Sequence, residues 1–156
     1  MIEAARPATA ADLERLAELA AAAVAEQVGE RGGAVWAGRE ARGVPAEASL
    51  RRDLEDDDCL VLVGTIDDAV LGYAAVRTEV LRDGRVLGVL TDVYVEPEAR
   101  AVGVGEVLID AVLAWCTARG CAGVDGLALP GNRQTKNFFE TFGFTARALI
   151  VHRRLT

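Results

Sequence analysis

One histidine, one lysine and three cysteines are scattered through a sequence of 156 residues. Each scarcity removes a class of chemistry. His152 alone argues against a histidine-built metal site and against a Ser-His-Asp triad. Cys59, Cys116 and Cys121 are odd in number and lack metal or redox spacing, as expected of reduced thiols in a cytoplasm. No apolar run approaches the ~20 residues that span a bilayer. The opening Met1–Arg6 has no charged-then-apolar leader pattern. Positive charge is also short: 17 basic against 24 acidic side chains give a net −7. That argues against a general nucleic-acid binder and a basic membrane-surface protein, and is consistent with a cationic substrate. Lys136, the only lysine among many arginines, reads as a compositional bias.

What remains is an apolar-rich chain, 51% hydrophobic, of a length that suits one domain over residues 1–156. Ile2–Arg6 is a short strand candidate. Thr9 and Asp12 have the spacing of a capping box, and Leu13, Leu16, Ala20 and Val24 recur at helical period to about Gly29. Arg31–Val44, with Trp36 and several glycines, reads as a mobile loop. Pro45 opens a second helix that runs into the acidic stretch Asp53–Asp58. Cys59–Val63, Val70–Val80 and Val86–Val95 then form an antiparallel meander, with Asp83-Gly84 at a hairpin turn. Val104, Val107, Leu108, Ala111, Val112 and Trp115 mark an amphipathic helix closed by Gly120. A strand at Val124–Leu129, a helix at Asn132–Phe142 and a last strand at Phe144–Leu155 complete an α/β order, β-α-α-β-β-β-α-β-α-β.

The chemistry concentrates after Pro97. A strand ends, Arg100-x-x-Gly103-x-Gly105 turns the chain, and a helix begins. Glycines let the backbone turn tightly and a ligand come close. The first amides of a helix lack partners and carry the positive end of its dipole, so a phosphate or pyrophosphate is the natural occupant. Leu108 stands where the dinucleotide fingerprint needs its third glycine, and no Gly-Lys-Ser/Thr of a P-loop occurs.

Arg100-x-x-Gly103-x-Gly105, after a strand ending Val93-Tyr94-Val95-Glu96-Pro97, resembles the acetyl-coenzyme A motif of the GNAT (Gcn5-related N-acetyltransferase) superfamily. Asn132-x-x-Thr135-x-x-Phe138-Phe139-x-x-x-Gly143-Phe144 resembles that family's second motif, and Arg6-Pro7-Ala8-Thr9-x-x-Asp12 its opening strand and helix. The resemblance implies an α+β GNAT fold: a mixed, mostly antiparallel sheet flanked by helices, with two splayed strands holding acetyl-CoA. It implies transfer of an acetyl group to a primary amine of a small molecule or peptide, without metal or nucleic acid, in a possible homodimer. The alternative is a weak or inactive CoA-binding module.

By the same resemblance, Val93, Tyr94 and Val95 would meet the pantetheine arm. Arg100 and the amides of Ala101, Val102, Gly103, Val104, Gly105 and Glu106 would hold the pyrophosphate. Asn132 would contact the cofactor or cap its helix, and Phe138 and Phe139 would line the channel or pack the core. Two positions depart from the family. Phe139 stands where a tyrosine acid is usual and cannot donate a proton; Val102 replaces a usual basic residue. Arg133 and Lys136 are candidate replacements for that charge, or plain surface residues. Asp92, on the strand beside the cofactor, is the leading catalytic carboxylate, or else a salt-bridged aspartate. Glu79 and His152 are weaker candidates. Tyr94 shares a side with Asp92 by strand alternation and is a candidate acid or a core residue.

Overall fold

A computed structural model describes residues 1–156. Five strands, β1 (Glu3–Pro7), β2 (Cys59–Ile66), β3 (Ala69–Val80), β4 (Val86–Val95) and β5 (Cys121–Asp125), form one sheet in that order. Every neighbouring pair is antiparallel except β4–β5, which is parallel. The expected meander is β2–β3–β4. Helices α1 (Leu13–Gln27), α2 (Gly33–Gly38) and α3 (Glu47–Glu55) precede it, α4 (Val104–Ala118) joins β4 to β5, and α5 (Arg133–Thr141) comes last.

Two apolar layers sandwich the sheet. On one face Leu13, Leu16, Leu19 and Ala20 of α1 and Leu50 of α3 bury against Val61, Val63 and Tyr73. On the other, Val104, Leu108, Ile109 and Val112 of α4 bury against Leu62, Ala74, Val76 and Leu90. The three- and four-residue spacings read from the sequence are the stripes that face the sheet. α4 lies close because glycines floor its seat: a Cβ on Gly64 would stand 2.7 Å from Val104 Cγ1, and one on Gly88 2.6 Å from Cys116 Sγ.

Three expectations are corrected. The Arg31–Val44 segment carries the short helix α2, because Gly32 at φ +79° turns the chain into it. The strand expected at Val124–Leu129 lies at Cys121–Asp125; it begins once Gly120 (φ +71°) ends α4 and stops where the Phe139 ring fills the space beside Gly126. Phe144–Leu155 forms no strand. Its Leu149, Ile150 and Val151 are exposed and consecutive, so neither side of an extended chain becomes the apolar one; an Arg147–Asp125 ion pair ties the segment to the end of β5.

The start of α1 carries a pH-dependent clasp. The Thr9 N–H donates to Asp12 Oδ2 at 2.9 Å, and Arg6 forks onto both Asp12 oxygens at 2.8 and 2.9 Å. The Arg6 hydrogen bonds, outweighing burial and helped by Thr9, hold the Asp12 carboxyl below the usual carboxylate range. A carboxylate more acidic when folded stabilises the fold above its unfolded pKa of about 3.9, and loses that contribution as pH falls through the folded value. Asp12→Asn is therefore expected to cost about 1–2 kcal/mol near neutrality. Urea midpoints of the two proteins should converge below about pH 4; a gap that stays constant down to about pH 2.5 would contradict the clasp.

Candidate functional site

The site is organised by an irregularity in β4. Ala75 of β3 pairs with Asp92 and Val76 with Leu90, so Thr91 is an extra, bulged residue. A bulge re-aims the side chains beyond it. Without it, Leu90 and Asp92 would share a face. With it, Leu90 enters the α4 layer, while Asp92 reaches the Tyr73 hydroxyl on the α1 and α3 side.

The far half of β4 leaves one edge open. Its ladder with β5 runs only from Val86 to Val89. The Glu96 N–H donates to Leu71 O of β3 at 2.8 Å, so alternation turns the N–H and C=O of Val95 and Val93 toward the side that β5 has left. There the Arg100 Nε donates to Val95 O at 2.9 Å. Arg100 also reaches Glu26 at 2.7 Å and lies over the Tyr94 ring at 5.5 Å. Immediately beyond, Gly103 at φ +89° is the N-cap of α4, with no side-chain cap. A positive φ at that bend favours glycine, and the capless turn leaves the amide end of α4 available. One strand edge and one helix N-terminus are thus adjacent.

Asp92 is held hard. Arg42 Nε donates to its Oδ2 and Nη2 to its Oδ1, both at 2.9 Å. Tyr73 Oη donates to Oδ2 and the Thr91 hydroxyl to Oδ1, each at 2.7 Å. These four donors fill the acceptor capacity of a carboxylate. Arg42 continues to Asp53 at 2.7 Å and Ser49 at 3.0 Å; its side chain is 9% exposed and that of Asp92 6%. The two carboxylates raise the Arg42 pKa against the opposing effect of burial. Burial, followed by Asp92, pushes the Tyr73 phenol far up.

Two hollows meet at this cluster. One of about 270 Å³, with mostly polar and charged residues around it, is lined by Glu40, Asp53, Cys59 and Arg77. A narrower one of about 70 Å³ is lined by Val24, Trp36, Val93, Leu127 and Phe139. Arg42, Thr91 and Asp92 wall both. Burial first, then Asp53 and Asp56, push the Cys59 thiol up to about 11, so it stays protonated at neutral pH and is no ready nucleophile.

A model of the acetyltransferase (GNAT) family matches residues 16–144. The chain belongs to the GNAT acetyltransferase family. Solved structures with the same fold include AAC(6')-Iy in complex with a CoA bisubstrate analogue, at 22% identity, TM-score 0.75 and full coverage of both chains. A mutant of the protein BH1408 from Bacillus halodurans matches at 21%, TM-score 0.83 and full coverage of both. An acetyltransferase from Trypanosoma brucei matches at 21% and 0.69, covering 99% of this chain and all of its own. No curated protein sequence matches significantly.

Against the GNAT motifs, the structure brings most of the named residues to one place. Val93, Tyr94, Val95, Arg100 and the turn from Ala101 to Glu106 are contiguous around the open edge of β4. Asn132 caps α5, its Oδ1 accepting from the Thr135 N–H at 3.0 Å. The Phe138 ring abuts Gly105, where a Cβ would stand 2.7 Å away. Phe139 is buried and packs on Phe144 at 5.1 Å. Tyr94 is buried, and that burial, with Glu26 and Glu96, raises its phenol above the usual value. Glu79 is exposed at the far end of β3, and His152 lies exposed in the C-terminal segment, both outside the cluster. Arg133 is exposed, and Lys136 pairs with Glu140 at 3.8 Å. In the sequence Arg42 is one unmarked residue of the Arg31–Val44 segment, and Asp53 is only the start of an acidic stretch. A buried arginine in a glycine-rich segment has no local signature, since its partners lie 7 to 50 positions away.

Proposed function

We propose that this chain transfers an acetyl group from acetyl-CoA to a primary amine of a small molecule or peptide. The supporting observation is the open β4 edge running into the uncapped N-terminus of α4. Those two features match the two ends of the cosubstrate: an amide-bearing arm suited to a strand edge and a diphosphate suited to helix amides. The backbone of Val93 and Val95 would hold the arm. The amides from Ala101 to Glu106, with Arg100 released from Glu26, would hold the diphosphate. Phe138, Phe139 and Asn132 would border the same channel.

Acetyl-CoA supplies a thioester, whose carbonyl accepts an unprotonated amine. The narrow hollow beside Leu90, Val93 and Phe139 keeps water from that carbonyl, and a β4 N–H polarises it. Asp92 orients the incoming ammonium. Of its four donors only the exposed Thr91 hydroxyl gives way without leaving a buried donor unpaired, and the proton leaves through water in the polar hollow. Tyr94, kept protonated, is the candidate donor to the departing thiolate. The aminoglycoside acetyltransferase from a soil metagenome solved with sisomicin, 19% identical, shares the fold and makes polyamines sensible probes.

Calorimetry should give a micromolar Kd for acetyl-CoA. A thiol assay with ethylamine, tyramine, lysine methyl ester and sisomicin should release free CoA with at least one of them. Absence of CoA binding refutes the reading. The buried, hydroxyl-free Phe139 favours a second reading, a CoA-binding module without turnover; binding with no thiol release by either wild type or Phe139→Tyr would establish it.

A further inference from the structure

Arg42 has no part in the motifs that point to CoA, yet with Asp92 it is one of the two most heavily bonded side chains at the site. It donates twice to Asp92 and once each to Asp53 and Ser49, and Asp92 links it onward to the Tyr73 hydroxyl. Arg6 and Arg147 also fork onto carboxylates, but their side chains are 48% and 69% exposed, whereas that of Arg42 is nine-tenths buried. The groups in this network come from β3, β4 and α3, while Arg42 itself sits on the stretch linking α2 to α3. It therefore clasps that stretch onto the β4 bulge. The clasp is also the partition between the two hollows.

We propose that Arg42 is the positioning residue of the acceptor side. It fixes the Asp92 carboxylate and the wall between the hollows, so that the amine enters from the polar one while the thioester occupies the narrow one. This rests on the acetyl-transfer reading. None of its hydrogen bonds is made to the backbone of Val93–Val95 or to the first turn of α4, so its influence falls on the amine rather than on CoA. The polar hollow fits a small amine, or the amine-bearing end of a larger one; it is slightly below the range that encloses whole drug-sized ligands. Lysine in its place keeps the charge and loses the fork, since a single ammonium cannot bond both carboxylate oxygens in one plane.

The test is steady-state kinetics of the full chain with acetyl-CoA and the four probe amines above. Arg42→Lys should raise the amine KM about tenfold or more, equivalent to about 1.4 kcal/mol, while the acetyl-CoA KM and calorimetric Kd stay within about twofold. Arg42→Ala should lose amine turnover and regain part of it with millimolar guanidinium, which fills the vacated fork. Asp53→Asn, at the more exposed end of the clasp, should raise the amine KM by a smaller factor and provides the same readout if the Arg42 variants fold poorly. Equal shifts in both KM values, or no shift in either, overturn the positioning role while leaving acetyl transfer intact. A wild type that binds no CoA, or turns over none of the amines, overturns the acetyl-transfer reading and this proposal with it.

Discussion

Asp92→Ala should unfold roughly 6–12 °C below the wild type, corresponding to about 3 kcal/mol in a chain of this size. Removing one member of a buried ion pair strands the other, and this usually costs more than the pair itself contributes. Arg42, 9% exposed, loses two of its bonds, and Tyr73, 2% exposed, loses its only acceptor. The expected loss sits at the low end of the usual range because Asp53 and Ser49 still engage the guanidinium. Asp92→Asn should cost less, because its amide oxygen still accepts, although its NH₂ meets the fork badly. Arg42→Met combined with Asp92→Leu should recover part of the loss, since the one charge it strands, that of Asp53, is 28% exposed and keeps water, while the Tyr73 hydroxyl still lacks its acceptor. Thermal melts of the four proteins decide the matter. A drop under about 2 °C for Asp92→Ala would mean that water already reaches the pair, and the partition would then be a soft one.

Local pattern carried much of this architecture. The Leu13–Leu16–Ala20 and Val104–Leu108–Val112 periodicities mark helices whose apolar stripes face the sheet, and Asp83-Gly84 marks the β3–β4 turn. The Arg100–Gly105 turn was equally legible, because a strand, a glycine bend and a helix start are neighbours in sequence. Less visible was the extra residue at Thr91. A bulge is a count of two strands against each other, and Leu90-Thr91-Asp92 reads as ordinary alternation until β3 is laid beside it. Arg42 was hidden for a related reason: its meaning lies in Asp92 and Asp53, which only the closed fold brings within hydrogen-bond reach. The end of the chain shows the converse error. Strand-forming residues at 149–151 predict a strand, but without a ladder partner or a buried side the propensity alone orders nothing.

Gly64→Val should lower stability by about 1–3 kcal/mol and weaken CoA binding about tenfold or more, although Gly64 itself is not among the residues proposed to contact the cosubstrate. Gly64 faces α4 from β2, beside Gly72 of β3. A Cβ there would stand 2.7 Å from Val104 Cγ1 and 3.0 Å from two Leu108 atoms. Val104 is β-branched and wholly buried, so it has little rotamer freedom with which to yield. The first turn of α4 must therefore lift from the sheet, and the added methyls of valine enlarge the displacement. That turn is the one whose amides are proposed to receive the diphosphate, while the open edge of β4 stays where it is. The two binding elements would then no longer be in register, which is how a distant overpacking becomes a loss of affinity. Gly123→Val is the control, since nothing lies within 4 Å of a Cβ built there; it should leave CoA affinity unchanged. Calorimetry on the folded variants separates the cases. If Gly64→Val loses stability but binds CoA as the wild type does, the anion is not held by the first turn of α4, and the diphosphate must be sought elsewhere along β4.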